Sequence, residues 1–510
     1  MFLVLVDLLV VSGVAYLFYR FRNRSSLPLP PGPKRLPLFG NALSIPNTRE
    51  WLAYHKWSKE LGTDILYLEM MGQSIIILDS HKAASDLLEK RSTIYSSRPP
   101  FTFLNELVGT TYQTATMKYG ETWRLHRRLS HAFFGPNTPL NYKPPSVRAT
   151  LHLMNRLLDN PKDIKTELHY MAGDSIMSMC YGLDVRTKDG TTYLDAVQTG
   201  IQAFTEAAIP GQFFVDMLTF LKYVPEWMPG AGFQNRAREW RDATNDMLTL
   251  PFAASKQNMA LNTCPPCFTC QTLQAKEEKQ GGLDEEEVRN VMGAMFVGGS
   301  DTTAAALSSC ILGLLSRPDV LQRAREELDR VIKPGSLPDF EDEPFLPYIT
   351  AIAKEALRWR EVTAFGMPHY NEVEDVYKGY RIPAGTIVMP NLWTLLHDED
   401  EFPDPFSFKP ERFMKGDEFN HGIKDPESVC WGFGRRICPG RHMAFSAIWI
   451  TIASLIYVFD IEKEVDEHGS IIEPNPRYNS GLILTPEAFP CRITPRSDDF
   501  AKLVRASLGQ

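Results

Sequence analysis

Trp431-Gly-Phe-Gly-Arg-Arg-Ile-Cys-Pro-Gly-Arg441 gives the rest of this chain its meaning. One cysteine, Cys438, stands among Gly432, Gly434, Pro439 and Gly440, and an apolar helical run from Met443 to Tyr457 follows at once. Glycines let a backbone approach a flat ligand closely. Pro439 fixes the chain after the cysteine and removes a donor. A helix starting near Arg441 turns its positive end towards the sulfur, which favours a thiolate. A thiolate in such a setting suits the axial position of haem iron. The same residues also read as a Gly-rich turn with a small buried thiol. The stretch alone leaves both readings open.

The chain has 510 residues, 44% of them hydrophobic, enough for a large core. Its 54 basic and 62 acidic residues give a net charge of −8, which implies no nucleic-acid surface. The 8 cysteines are too few and too scattered for a disulfide framework.

Phe2 to Tyr19 is apolar except at Asp7, Ser12 and Gly13, and Arg20, Arg22 and Arg24 follow it. That length is just sufficient to span a bilayer. The charge asymmetry places the remainder on the cytosolic side. A cleaved signal peptide would need a basic segment before the apolar run and a small-residue cleavage site, and neither is present. The expected organisation is an anchor at 1–20, a basic and Pro-rich linker at 21–41, and one catalytic domain at 42–510. Prolines 28, 30, 31, 33 and 37 predict a stiff, extended linker.

Further on, residues 64–79 alternate as a β-hairpin turning at Gly72-Gln73. Trp123 and Arg127 share a helix face at i, i+4. Residues 145–260 read as successive helices broken at Pro161, Gly190, Pro210 and Pro229-Gly230, with an apolar patch of Phe213, Phe214, Met217 and Phe220 that reads by default as core, and otherwise as a substrate-channel roof or a second membrane contact. Cys264, Cys267 and Cys270 form a tight cluster, but structural zinc wants four ligands, so a surface loop is expected. Asp284 to Ser316 predicts a helix roughly 45–50 Å long, started by a capping box of Asp284 and Glu287. Its middle, Gly298-Gly-Ser-Asp-Thr-Thr303, is weak helix sequence. It reads either as a local opening for a ligand or as close helix packing, with Thr302 and Thr303 bonded one turn back. Glu355 and Arg358 pair at i, i+3 on a second helix, and a buried pair needs a further partner.

Taken together these motifs resemble the cytochrome P-450 family of haem-thiolate monooxygenases over nearly the whole chain. The family's cysteine motif lies on Trp431, Gly434, Arg436, Cys438 and Gly440, with Trp431 in place of the usual phenylalanine. The resemblance implies a mainly α fold with small β-sheets, preceded here by a transmembrane helix. It implies haem b bound through the Cys438 thiolate, with Arg436, Trp123 and Arg127 at the propionate side. It casts Glu355, Arg358 and Arg412 as a buried structural set, and Asp301 and Thr302 as the catalytic pair that activates oxygen and delivers protons.

The implied reaction inserts one atom of O2 into a small apolar organic substrate. The chain has no convincing flavin or nicotinamide motif. Electrons are therefore expected from a separate NADPH–cytochrome reductase, with cytochrome b5 as a further donor. The wording around Cys438, Leu221 and His369 is similar to fungal, particularly basidiomycete, members. This implies secondary-metabolite tailoring, for example of terpenoids, at the endoplasmic reticulum membrane. The alternative is a haem-thiolate isomerase or dehydratase that acts on a peroxide without a reductase. Glu361 departs from the proline usual in similar fungal chains; it reads either as a group for a basic substrate or as one turned towards a neighbour.

Overall fold

A computed structural model describes residues 27–161, 163–186, 188–209, 211–278 and 284–508. The proposed anchor at 1–20 lies outside these residues. The order of elements begins with α1 (Glu50–Leu61) and a hairpin, β1 (Ile65–Met70) and β2 (Gln73–Leu78). Helices α2 (Glu121–Phe134), α3 (Lys143–Asp159), α4 (Ile164–Tyr181), α5 (Lys188–Ala207), α6 (Gly232–Ala260) and α7 (Phe268–Glu278) follow. Then come α8 (Glu285–Ser316), α9 (Pro318–Val331) and α10 (Pro347–Trp359). The short strands β3 (His369–Tyr370), β4 (Asp375–Tyr377), β5 (Tyr380–Ile382) and β6 (Ile387–Pro390) precede α11 (Arg441–Val458). The chain closes with β7 (Phe459–Lys463), β8 (Cys491–Pro495) and α12 (Asp498–Ser507).

The largest sheet runs β1-β2-β6-β3. Its hairpin turns at Met71-Gly72, where both residues have positive φ (48° and 90°). β6 pairs parallel with β2, Ile75 to Leu78 lying beside Ile387 to Pro390. The Pro-rich stretch has no regular structure from Pro28 to Arg35, then folds into a tight turn between Leu36 and Gly40 (2.8 and 2.9 Å), so it is not extended throughout, and it is docked on the body. The amide of Tyr67 donates to the Pro31 carbonyl (2.8 Å), that of Arg381 to Pro28 (2.8 Å), and Gly40 bridges to Met70. A Cβ at Gly32 would lie 2.0 Å from the Tyr67 carbonyl oxygen, so only glycine permits this approach.

The core is helical. α11 is apolar on every side and lies inside the protein, as such a helix must. It is the one described helix long and apolar enough by itself to cross a membrane, and 78% of it is buried. α8 crosses the domain beside α4, α10 and α11. Its 32 residues make it about 48 Å long. The capping box forms only in part: Asp284 accepts from the Glu286 amide (3.3 Å), whereas Glu287 pairs with His126 Nε2 of α2 (2.7 Å). That contact ties α2 to α8.

Three further expectations are corrected. Gly190 lies within α5, because the helix resumes at Lys188. The phenylalanine patch divides: Phe213 is buried and stacked on Phe103 (3.6 Å between centroids), but Phe214 and Phe220 are exposed. The cysteine cluster is not a plain surface loop. Cys267 and Cys270 are buried, and Cys264 is disulfide-bonded to Cys270.

Candidate active site

The segment before α11 delivers Cys438 to an internal cavity of about 310 Å³, measured as space open to the centre of a water molecule. The Cys438 amide donates to the Trp431 carbonyl (2.8 Å), which closes the loop. Gly434 has φ 56°, and a Cβ there would lie 2.2 Å from the Leu88 carbonyl oxygen. No other residue type fits this turn. Trp431 also lines the cavity, its indole N–H held by Glu427 (2.8 Å). Burial pushes the Cys438 thiol up, while the amides of Gly440 and Arg441 and the charges of Arg127 and Arg441 pull it down. Burial is the larger effect. The helix terminus therefore assists a thiolate but does not create one, and an electrophilic partner on the cavity side would complete it.

A second part of the lining is cationic. Arg436 is buried, donates to the carbonyls of Ser96 (2.6 Å), Thr114 (3.2 Å) and Met117 (2.7 Å), and lies over the Trp123 ring (4.4 Å). Arg127 donates to the Ile437 carbonyl. Arg98, a residue sequence reasoning missed, is 4% exposed and donates to Ala115 (2.9 Å), Met367 (2.7 Å) and Pro368 (2.7 Å). His369, also missed, donates from Nδ1 to the Tyr95 carbonyl (2.7 Å) and lines the same cavity. Burial, then Arg98 and Arg127, pushes the Arg436 guanidinium down; burial, then Arg98, pushes the His369 imidazole well down. Among the described residues none of the three arginines has a carboxylate partner. Buried like charges held by neutral carbonyls alone fit an anionic ligand. A cofactor with acidic side arms, a flat body and an electrophilic metal would match the arginines, the glycine turn and the sulfur together.

The middle of α8 supplies another stretch of lining, and its paired glycines do different jobs. A Cβ at Gly298 would meet nothing within 4 Å, whereas one at Gly299 would press on Ile176 of α4 at 3.1 Å. Opening and close packing therefore both occur, one at each residue. Thr302 lines the cavity and donates to the Gly298 carbonyl one turn back (2.7 Å). Asp301 is not among the lining residues. It faces α4, with Oδ1 3.6 Å from His169 Nδ1.

Glu355, Arg358 and Arg412 come together away from the cavity. Arg358 holds Glu355 with two bonds of 2.8 Å, and Arg412 Nε approaches both carboxylate oxygens (3.3 and 3.2 Å). The Lys409 amide adds a bond of 2.8 Å, and the carbonyls of Leu396 and Pro405 take the remaining Arg358 donors. One carboxylate is thus shared by two guanidiniums, and every charged group in the set has a partner of opposite charge within hydrogen-bond reach.

A thiol presented to a cavity beside unmatched arginines, and crossed by a helix with a gap at Gly298, describes a haem-thiolate enzyme. The chain belongs to the cytochrome P-450 family: the family model matches residues 30–489. It is 40% identical to cytochrome P-450 monooxygenase 98 of Postia placenta, over 96% of this chain and 95% of that protein. It is 38% identical to monooxygenase ple1 of Rhodocybe pseudopiperita, covering 97% and 94%. It is 35% identical to tryptamine 4-monooxygenase of Psilocybe cyanescens, covering 98% and 99%. The chain is thus a monooxygenase of the oxidoreductase class, with the mainly helical fold of that family. The family's cofactor is haem with a cysteine thiolate as axial ligand, and its members use redox partners and an organic substrate.

Proposed function

We propose that this enzyme hydroxylates, or oxidises in several steps, a largely apolar small molecule in fungal secondary metabolism, a terpenoid or a comparable natural product. The observation that carries this reading is one cavity lined by Cys438, by the unmatched arginines and by the open turn of α8 at Gly298 and Thr302. Bound haem supplies activation of O2 and insertion of one oxygen atom. Cys438 holds its iron. Arg98, Arg127 and Arg436 pair with its acidic groups, and Trp123 and Trp431 pack beside it. Thr302 Oγ1 holds a proton at the cavity wall, and Asp301 receives replacements from the α4 side. Glu355, Arg358 and Arg412 fix the chain that carries the cysteine loop and take no part in chemistry.

Charge and apolarity on the outside support the proposed partners. Arg124 and Arg128 of α2 and Arg435 beside the cysteine loop are exposed, a basic face suited to an acidic electron donor such as NADPH–cytochrome reductase or cytochrome b5. Leu38, Leu43, Phe214, Phe220, Tyr223 and Trp227 are exposed between 63% and 86%. The two stretches that carry them both reach Met70: Gly40 bridges to it, and a Cβ at Gly211 would lie 3.4 Å from its Cε. An apolar patch that continues from the linker suits a lipid surface. We therefore place the enzyme at the endoplasmic reticulum membrane, single-pass through residues 1–20, with the catalytic domain in the cytosol. One relative is named for tryptamine, which supports natural-product chemistry without naming the substrate here.

Reconstitution with NADPH–cytochrome reductase, isotopically labelled dioxygen and a panel of terpenoids, polyketides and indoles tests the reading. A product with one labelled oxygen, formed only with reductase and NADPH, is expected. Turnover of a hydroperoxide without reductase would replace it with the isomerase or dehydratase alternative. Cys438→Ala should abolish the strongly red-shifted Soret band of the reduced carbon monoxide complex. Thr302→Ala should release more hydrogen peroxide per NADPH consumed; unchanged coupling would remove Thr302 from proton delivery.

A further inference from the structure

Glu361 lies two residues past the end of α10 and is 4% exposed. It lines the same cavity as Cys438 and Thr302. Its position is fixed on both sides. Behind it is the matched Glu355–Arg358–Arg412 set. Ahead of it, residues 362–366 are pinned by the Leu484 amide on the Val362 carbonyl (2.8 Å) and the Leu392 amide on Ala364 (2.8 Å). These bonds fix the backbone on the far side of Glu361 and hold its Cα at the cavity wall.

Among the described residues no side chain forms a close ion pair with it, although the charges of Arg360 and Arg358 act on it from further off. Arg358 is fully engaged with Glu355 and two carbonyls. Arg360 turns away, over the rings of Trp359 (5.0 Å) and Tyr478 (5.2 Å). His397 Nδ1 is 3.9 Å away, but that nitrogen is bonded to the Trp393 carbonyl (2.8 Å), and its Nε2 faces the Trp359 carbonyl (3.2 Å). Only the residue's own amide offers a hydrogen bond. Burial accordingly pushes the Glu361 carboxyl up to about 8, and burial, then Arg358, pushes the His397 imidazole down to about 3. A buried carboxylate without a partner is costly, and a cation brought into the cavity would relieve that cost.

We infer that Glu361 is a specificity-determining residue that selects substrates with a cationic nitrogen, such as a protonated amine, on an otherwise apolar body. The inference rests on the cavity being the haem and substrate site. It narrows the substrate class from apolar molecules in general to apolar molecules with one basic group.

The test uses the full-length haem-loaded enzyme and two probes of equal shape. One is the phenethyl-trimethylammonium cation, whose nitrogen has no lone pair to offer iron. The other is its uncharged carbon isostere, neohexylbenzene. Binding is read from the Soret shift and checked by calorimetry. Wild type should bind the cation roughly tenfold or more tightly than the isostere, the lower range for a desolvated charge pair. Glu361→Gln should erase that preference and leave affinity for the isostere within about twofold of wild type, the ordinary scatter of single contacts. Glu361→Asp should keep part of it. Equal binding of the two probes by wild type, or a preference that survives in Glu361→Gln, would overturn the assignment. The reduced carbon monoxide spectrum separates the two levels. If wild type lacks the thiolate band, the haem-site reading falls and this inference with it. If the band is present and the cation is not preferred, only the role of Glu361 falls.

Discussion

Glu355 and Glu361 are six residues apart, and both are buried, at 0% and 4% exposure. Glu355 meets two arginines and a backbone amide. Among the described residues Glu361 meets no Lys or Arg in ion-pair range, only His397 at 3.9 Å, and it lines the cavity. The arginines divide in the same way. Arg358 and Arg412 have a carboxylate between them, while Arg98, Arg127 and Arg436 have only carbonyls and one another. The first set holds the fold, because each charged group in it has an oppositely charged partner in reach. A charge without such a partner is costly in proportion to its burial, and Arg98, Arg127, Arg436 and Glu361 all line one cavity. On the proposed reading, what binds there supplies the partners they lack.

This contrast can be broken by experiment, beginning with the matched set. Glu355→Gln should strand Arg358 and Arg412 as buried, uncompensated cations, at a cost of about 3–5 kcal/mol. Denaturant unfolding of the haem-loaded enzyme measures this, and a loss below about 1 kcal/mol, the worth of a surface pair, would show that the set is not a structural lock.

Arg127→Leu should behave in the opposite way. It removes a charge that has no carboxylate partner and donates to one carbonyl, so unfolding stability should change little. Haem should leave faster, by roughly tenfold, the value of one charge-assisted hydrogen bond. Transfer of haem to apomyoglobin gives the rate. An unchanged rate would mean that the unmatched arginines do not serve the cofactor.

A third test is the pH dependence at Glu361. Its carboxyl is held at about 8, above the ordinary 4.5. Between those values the folded chain holds a proton that the unfolded chain has lost. The contribution to stability is therefore full below 4.5 and falls as pH rises through 8. Glu361→Gln lacks this decline. Thermal midpoints without substrate should show the variant gaining on wild type from about pH 5 to about pH 9. A constant gap would mean that the carboxylate is compensated after all.

Much of the fold and part of the site were legible in the sequence because they are written in local spacing. The glycine turn around Cys438, the i, i+3 pair of Glu355 and Arg358, and the weak centre of α8 each show within a dozen residues. Arg98 left no trace of that kind: in Ser97-Arg-Pro-Pro nothing nearby marks a cavity wall, and its acceptors, Met367 and Pro368, are some 270 residues away. The capping box at Asp284 looked complete, yet Glu287 was drawn to His126 on another helix. The phenylalanines after Pro210 carry equal hydrophobicity, and only the neighbours of each decide that Phe213 stacks on Phe103 while Phe214 faces outward.

By itself the sequence showed a cysteine in a glycine turn, a charged i, i+3 pair and a weak centre in the longest helix, since these follow from residue types at fixed separations along one chain, and their resemblance to a family implied the class of enzyme. The tertiary structure alone decided that Gly298 opens while Gly299 packs, that Asp301 faces His169 and is not among the cavity-lining residues, and that no described Lys or Arg pairs closely with Glu361. The reason is physical. Spacing along a chain fixes which residues share a turn or a face, but whether a charge is matched depends on what the fold brings to within a few ångströms of it.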